Sequence, residues 1–219
     1  DALELDWGQV FPHGEHAYIL GNPPYKGSKM QSEAERQQIR NIAGLGGAGG
    51  TLDYSCGWII KAADCARHGA HVGLVTVSSV VQGEQAGQLW PILLDRFSME
   101  ISFAHQPFQW YSDAPGPRSQ VQVVILGFCS CAHVGRTRPL YQYETATARP
   151  TCIVCRQISP YLIRGDGLLD SHIVVRETPR PVNGLRRLRT GTKPIDGGYY
   201  ILKEDEKSYL VSRAPAAAK

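Results

Sequence analysis

Two hydrophobic periods alternate along the first 130 residues. Ala17-Tyr-Ile-Leu20 is a short apolar run, predicted to be a strand, and it leads straight into Asn22-Pro-Pro-Tyr25. Ser32 to Ile42 is polar and rich in Gln, Glu and Arg, the pattern of a surface helix. Gly44 to Gly50 breaks it with five glycines. From Leu52 to Arg67 the apolar positions Trp58, Ile59, Ala62, Ala63 and Ala66 recur at helical spacing, which predicts an amphipathic helix. Val72 to Val77 reads as a buried strand, and Glu84 to Phe97 as a helix carrying Pro91 near its middle. Met99 to Ala104 and Val121 to Phe128 are further strands, separated by a loop rich in aromatics, Pro and Gly. Strands alternating with helices imply an α/β fold: a three-layer, mostly parallel sheet. The last two strands have no helix between them and are expected as an antiparallel edge pair.

The pattern changes after residue 131. Short β-branched runs (Ile173-Val-Val175, Tyr199-Tyr-Ile-Leu202) and turn residues take over, which reads as a small β-rich module. The expected division is therefore 1–131 and 132–219. Charge follows the same boundary. Residues 1–131 hold 8 Lys/Arg against 12 Asp/Glu, and residues 132–219 hold 15 against 8, inside an overall balance of +3. Arg186, Arg187 and Arg189 form a tight basic group, and guanidinium forks suit phosphate oxygens. A solvated basic face is the plainer alternative.

The 219 residues, 42% of them apolar, can fill a core, and 23 Gly and 14 Pro without a period exclude collagen. No apolar run approaches the roughly 18–20 residues of a membrane span. The chain opens without Met or a signal-like segment and ends on Ala214-Pro-Ala-Ala-Ala-Lys219, which reads as a piece of a longer protein. Cys129, Cys131, Cys152 and Cys155 have zinc-like spacing. Alternating residues of the strand-like runs around them point to opposite faces, which favours reduced thiols of a cytoplasmic protein. The seven histidines, His13, His16 and His105 among them, show no metal spacing.

Asn22-Pro-Pro-Tyr25 carries the chemistry. It opens a loop at the carboxyl end of a strand, where ligands bind in open α/β sheets. Two successive prolines fix the backbone and hold Asn22 extended. The Asn22 carboxamide oxygen, the Pro23 carbonyl and the face of Tyr25 are thereby presented together. Two acceptors and a stacking ring suit a planar base with an exocyclic amino group. A polyproline-type ligand would instead lie in a solvated tail, not behind an apolar strand.

These residues resemble the catalytic loop of the amino-methylating DNA methyltransferases. Leu5-Asp6-Trp7, Gly27-Ser-Lys-Met30, Leu52-Asp-Tyr54, Gly83-Glu-Gln85, Phe103-Ala-His105, Phe108-Gln-Trp110 and the strand Val121 to Phe128 resemble the Mme-like subgroup, bacterial single chains fusing restriction and modification. Ile158-Ser-Pro-Tyr-Leu162 and Lys193-Pro-Ile-Asp-Gly-Gly198 resemble the opening of that group's target-recognition domain. The resemblance implies a class I methyltransferase-like fold and methyl transfer from S-adenosylmethionine, with adenine N6 as the target. It assigns catalysis to Asn22, Pro23, Pro24 and Tyr25, and cofactor contacts to Asp6, Asp53 and Tyr54. Asp53 also reads as a cap of the helix that follows, and the two roles are compatible. Tyr25 with Trp110 or Phe108 would stack on a flipped base. Arg176, Arg186, Arg187, Arg189 and Lys193 would contact double-stranded DNA. The family's Gly-rich cofactor turn is expected upstream of Asp1, so an upstream part of the same polypeptide is an expected partner. The chain by itself is expected to bind cofactor weakly, to be inactive and to self-associate, with no membrane partner. The alternative is a non-catalytic DNA-binding module on an α/β scaffold.

Overall fold

The computed structural model describes residues 1–10, 17–46, 51–110, 121–145, 148–176, 178, 181, 183–186 and 202–214. They fall into two compact units, Asp1–Glu177 and Thr178–Lys219.

In the first unit a short helix α1 (Trp7–Val10) precedes β1 (Tyr18–Gly21), and the loop after β1 leads to α2 (Glu33–Ala43). A reciprocal cap starts α2. The Ser32 hydroxyl accepts from the Glu35 N–H at 3.2 Å, and the Glu35 carboxylate accepts from the Ser32 N–H at 2.7 Å. Gly44, in the left-handed region at φ 69°, ends it. Helix α3 (Cys56–Ala66) buries Ile59, Ile60, Ala62, Ala63 and Ala66, the face given by the periodicity. It approaches α2 closely because Gly57 has no side chain: a Cβ there would lie 2.8 Å from Ile39 Cδ1. Then come β2 (His71–Val77) and α4 (Gly83–Pro91). Helix α4 does not continue regularly to Phe97. Beyond Pro91 the turns widen into a π-helical stretch over Ile92–Arg96, with the Phe97 N–H bonded to the Ile92 carbonyl at 3.2 Å.

Strands β3 (Met99–Trp110), β4 (Val121–Ser130), β5 (Arg138–Gln142) and β6 (Thr151–Cys155) complete a six-stranded mixed sheet in the order β1-β2-β4-β3-β5-β6. The α/β class is as expected, and β3 and β4 are antiparallel. They are interior strands, however. β4 carries consecutive buried residues, Val123 and Val124, then Leu126 through Cys129, and is inserted between β2 and β3. A strand buried on both faces takes a central place. β5 pairs parallel with β3, and β6 antiparallel with β5, so the sheet continues past residue 131.

The pairings fix direction. β1, β2, β3 and β5 run one way, while β4 and β6 run the other. The carboxyl ends of β1, β2, β3 and β5 therefore share one edge of the sheet. One hydrophobic cluster joins α2, α3, α4 and the sheet, with Trp90, Leu93, Leu126 and Phe128 at its centre. In the second unit α5 (Glu204–Arg213) begins with Glu204, Asp205 and Glu206, which suit a helix N-terminus. No helix among the described residues is long and apolar enough to cross a membrane.

Candidate active site at the shared strand edge

Asn22 follows the last residue of β1, on the shared edge. Pro23 is buried and anchors the loop, while Asn22 and Pro24 are exposed. The Tyr25 hydroxyl donates to the Asn22 carboxamide oxygen. Burial, then the nearby charge of Asp53, pushes the Tyr25 hydroxyl above its ordinary value, so it remains a donor.

The rest of the loop is stitched to the segment before α3. The Tyr54 N–H donates to the Lys26 carbonyl at 2.9 Å. Gln31, 4% exposed, spends its side-chain amide on the carbonyls of Lys26 and Leu52, both at 2.9 Å. Lys26 reaches Glu35 at 2.7 Å, coupling the loop to the cap of α2. Its ammonium and the Ser32 N–H hold the Glu35 carboxyl down at about 2.

Asp53, 4% exposed, turns one carboxylate oxygen to Ser55, accepting from its N–H at 2.9 Å and from its hydroxyl at 2.8 Å. This is a cap on the turn leading into α3. The Ser55 hydroxyl also lies 3.1 Å from that of Thr76, near the end of β2, and the Asp53 N–H donates to Gln85 of α4 at 2.8 Å. The carboxyl end of β1, that of β2, the start of α3 and the start of α4 thus meet in one polar network. The other carboxylate oxygen of Asp53 has no hydrogen-bond partner among the described residues.

Asp6 stands elsewhere, and Tyr54, whose backbone meets the loop, has its side chain engaged with α2. Asp6 caps α1, accepting from the Gly8 N–H at 2.9 Å, and lines a cavity of 290 Å³ with Lys61 and Asp64, residues two to three turns along α3 from Asp53. Tyr54 is buried and donates its hydroxyl to Gln38 at 2.7 Å.

Phe108 and Trp110 belong to strand β3, not to a loop. The β3–β4 register shifts between His105 and Phe108, and this extra residue puts His105, Phe108 and Trp110 on one face. His105 stacks on Tyr141 of β5 at 4.2 Å and lies 2.7 Å from the Tyr143 hydroxyl, and Phe108 stacks on Tyr143 at 4.8 Å. Burial lowers the His105 pKa, favouring the neutral ring. Trp110 ends the row at the shared edge, 38% exposed.

Arg176 is exposed and pairs with Asp95 at 3.4 Å. Arg186 is exposed in the second unit. Arg187, Arg189 and Lys193, like His13, His16 and the run Tyr199 to Ile201, lie outside the described residues. The cysteines do not gather. Cys129 is the last residue but one of β4 and Cys155 ends β6, three strand spacings apart, about 14 Å. Among the described residues no three His, Cys, Asp or Glu side chains form a metal-sized group.

Residues 1–142 match the family model of the MmeI DNA-methyltransferase domain. DNA methyltransferase A of Bacillus subtilis (strain 168) is 32% identical over 218 residues, 98% of this chain and 23% of that protein. The solved structure of the type IIL restriction-modification enzyme MmeI in complex with DNA superposes with a TM-score of 0.86 at 30% identity, covering 98% of this chain and 28% of that one. The chain spans about a quarter of the length of these relatives.

Proposed function

The chain belongs to the MmeI DNA-methyltransferase domain family through residues 1–142, and from that premise we propose that it serves in methyl transfer from S-adenosylmethionine to adenine N6 of double-stranded DNA. Support comes from the position of Asn22: an exposed residue whose oxygen is held by Tyr25, at an edge where four strand ends converge. The Asn22 oxygen retains a lone pair beyond the one used by Tyr25, and the Pro23 carbonyl supplies a second acceptor. Together they hold the two N–H groups of the target amine and turn its nitrogen lone pair outward. The cofactor, when bound, supplies the electrophilic methyl. Proximity and alignment supply much of the rate, so the loop requires no strong base.

Of the residues assigned to the cofactor, Asp53 has both the spare oxygen and the position beside Tyr25. Asp6 caps α1, and the Tyr54 hydroxyl is spent on Gln38. A stacked base cannot reach the edge, so the target is flipped out at a cost of a few kcal/mol. Tyr25 and Trp110 would close on its two faces, from strand ends about 14 Å apart. Phe108 is already stacked on Tyr143. Residues 132–219, with Arg176 and the group around Arg186, would carry phosphate contacts and open the target-reading part.

The test uses a protein of the relatives' length carrying this chain. Asn22→Ala should abolish methyl transfer to duplex DNA while leaving DNA binding largely intact, and mapping the modified base identifies the acceptor atom. Near-full activity of Asn22→Ala would sink the proposal.

A further inference from the structure

Four arginines line one cavity at the opposite end of the sheet. Arg136 precedes β5, Arg138 is its first residue, Arg156 follows β6, and Arg164 lies in the next turn. The cavity has a volume of 650 Å³ and is completed by Asp166 and Gly167. Because β5 runs parallel to β1, its first residue lies away from the edge that carries Asn22.

The cavity is organised. Asp166 accepts from the N–H groups of Arg156 at 2.6 Å and Gln157 at 3.0 Å, and from Arg164 Nε at 3.0 Å. This clasp fixes two of the arginines relative to each other. Arg138, its side chain 7% exposed, donates through Nη1 to Glu100 at 2.6 Å and to the Ile101 carbonyl at 3.1 Å. Its Nε is buried without a hydrogen-bond partner among the described residues. Buried donors are normally satisfied, so this one, on a side chain that lines the cavity, is an open hydrogen-bonding position. The guanidinium groups of Arg136 and Arg156 have no side-chain hydrogen bond or ion pair among the described residues. Four guanidinium groups are set against the carboxylates of Asp166 and of Glu100, which His172 also meets at 2.7 Å, an excess of two positive charges over carboxylates among these groups.

We propose that this cavity binds a phosphate group. Guanidinium forks arriving from several chain segments match the spread of oxygens on a tetrahedral phosphate. At Gly167, in the left-handed region at φ 85°, an added Cβ would meet nothing within 4 Å, so the backbone leaves room for the anion. The phosphate is either a diester in the backbone of bound DNA or a small phosphate ester.

The test titrates the 219-residue chain with inorganic phosphate, and separately with a short duplex at several salt concentrations. Removing both rim arginines (Arg136→Ala with Arg156→Ala) should weaken phosphate binding roughly tenfold. Both are exposed, so the melting temperature should hold. A log–log salt slope for the duplex reduced by about one identifies the source as DNA. Loss of phosphate binding with unchanged duplex binding identifies a small ester at the same site. Arg149→Ala, an exposed arginine outside the cavity, should leave phosphate binding alone. No saturable phosphate binding, no effect of the double variant, or an equal effect of Arg149→Ala would each overturn the proposal.

Discussion

Asn22 is positioned by a residue three places further on. Removing only the Tyr25 hydroxyl (Tyr25→Phe) frees the Asn22 amide to rotate while keeping the ring for stacking. One net hydrogen bond is worth about 1 kcal/mol, so methyl transfer should fall about five- to tenfold with an unchanged melt. A Tyr25→Phe rate equal to that of the parent protein would show that the bond does not aim the amide. Glu35 makes a pH-dependent prediction. Its folded pKa of about 2 lies below the ordinary carboxylate value. Its contribution is therefore complete above about pH 4.5 and is lost as pH falls toward 2. The protection factors of residues 26–35, taken against the intrinsic exchange rate at each pH, should fall on going from pH 5 to pH 3, and Glu35→Gln should flatten that dependence. Asn22 and Tyr25 were legible in the sequence because strand, double proline and aromatic lie within nine residues. Gln31 and Thr76 were not. Their roles arise from partners 21 residues away, Leu52 and Ser55, which no local period encodes.

Elements that pack through one face followed their periodicity, and those shaped by neighbours did not. Helix α3 and strand β2 lie where the pattern puts them, because each buries a regular stripe. The central place of β4 was implicit in its run of consecutive apolar residues, but the insertion between β2 and β3 is a matter of pairing. The aromatic row of β3 was hidden for a different reason. By strict alternation His105 and Phe108 face opposite ways, and only the bulge aligns them. Phe103 shows how tightly this region is fitted: a Cβ on Gly127 of β4 would lie 2.0 Å from its ring. Gly127→Ala should therefore destabilise the first unit by about 1–3 kcal/mol in denaturant unfolding. Adding Phe103→Ala should recover part of that loss, a non-additivity that separates a clash from a strand-propensity effect. Additive costs would count against the fit described. Trp110 ends the row and is partly exposed, so Trp110→Ala should melt normally and weaken binding to target DNA by about 1–3 kcal/mol. A cooperative loss of the fold would make it a packing residue.

At the scale of the whole chain, the outer edge of β1 and the cofactor site pose one question. β1 pairs only with β2 among the described strands, and on one of its faces Tyr18 and Leu20 are 67% and 77% exposed. An apolar strand with an open edge is a template for pairing. The 219-residue chain should therefore self-associate in sedimentation at micromolar concentration, and Leu20→Lys should shift it toward monomer. On the cofactor side, Asp53 is the assigned residue that has both a carboxylate oxygen unpartnered among the described residues and a place beside Tyr25. A charged hydrogen bond contributes about 1.5–3 kcal/mol, while association costs at least about 4 kcal/mol in lost freedom. On these terms the balance is unfavourable by about 1 kcal/mol or more, so S-adenosylmethionine should bind this chain alone more weakly than about 1 mM, a level that takes about −4 kcal/mol. Calorimetry on the 219 residues should show no saturable heat at micromolar cofactor, and the chain should transfer no methyl group. The same titration on a protein of the relatives' length should saturate. Tight, stoichiometric binding to the chain by itself would mean that the residues around Asp53 already form a complete cofactor site.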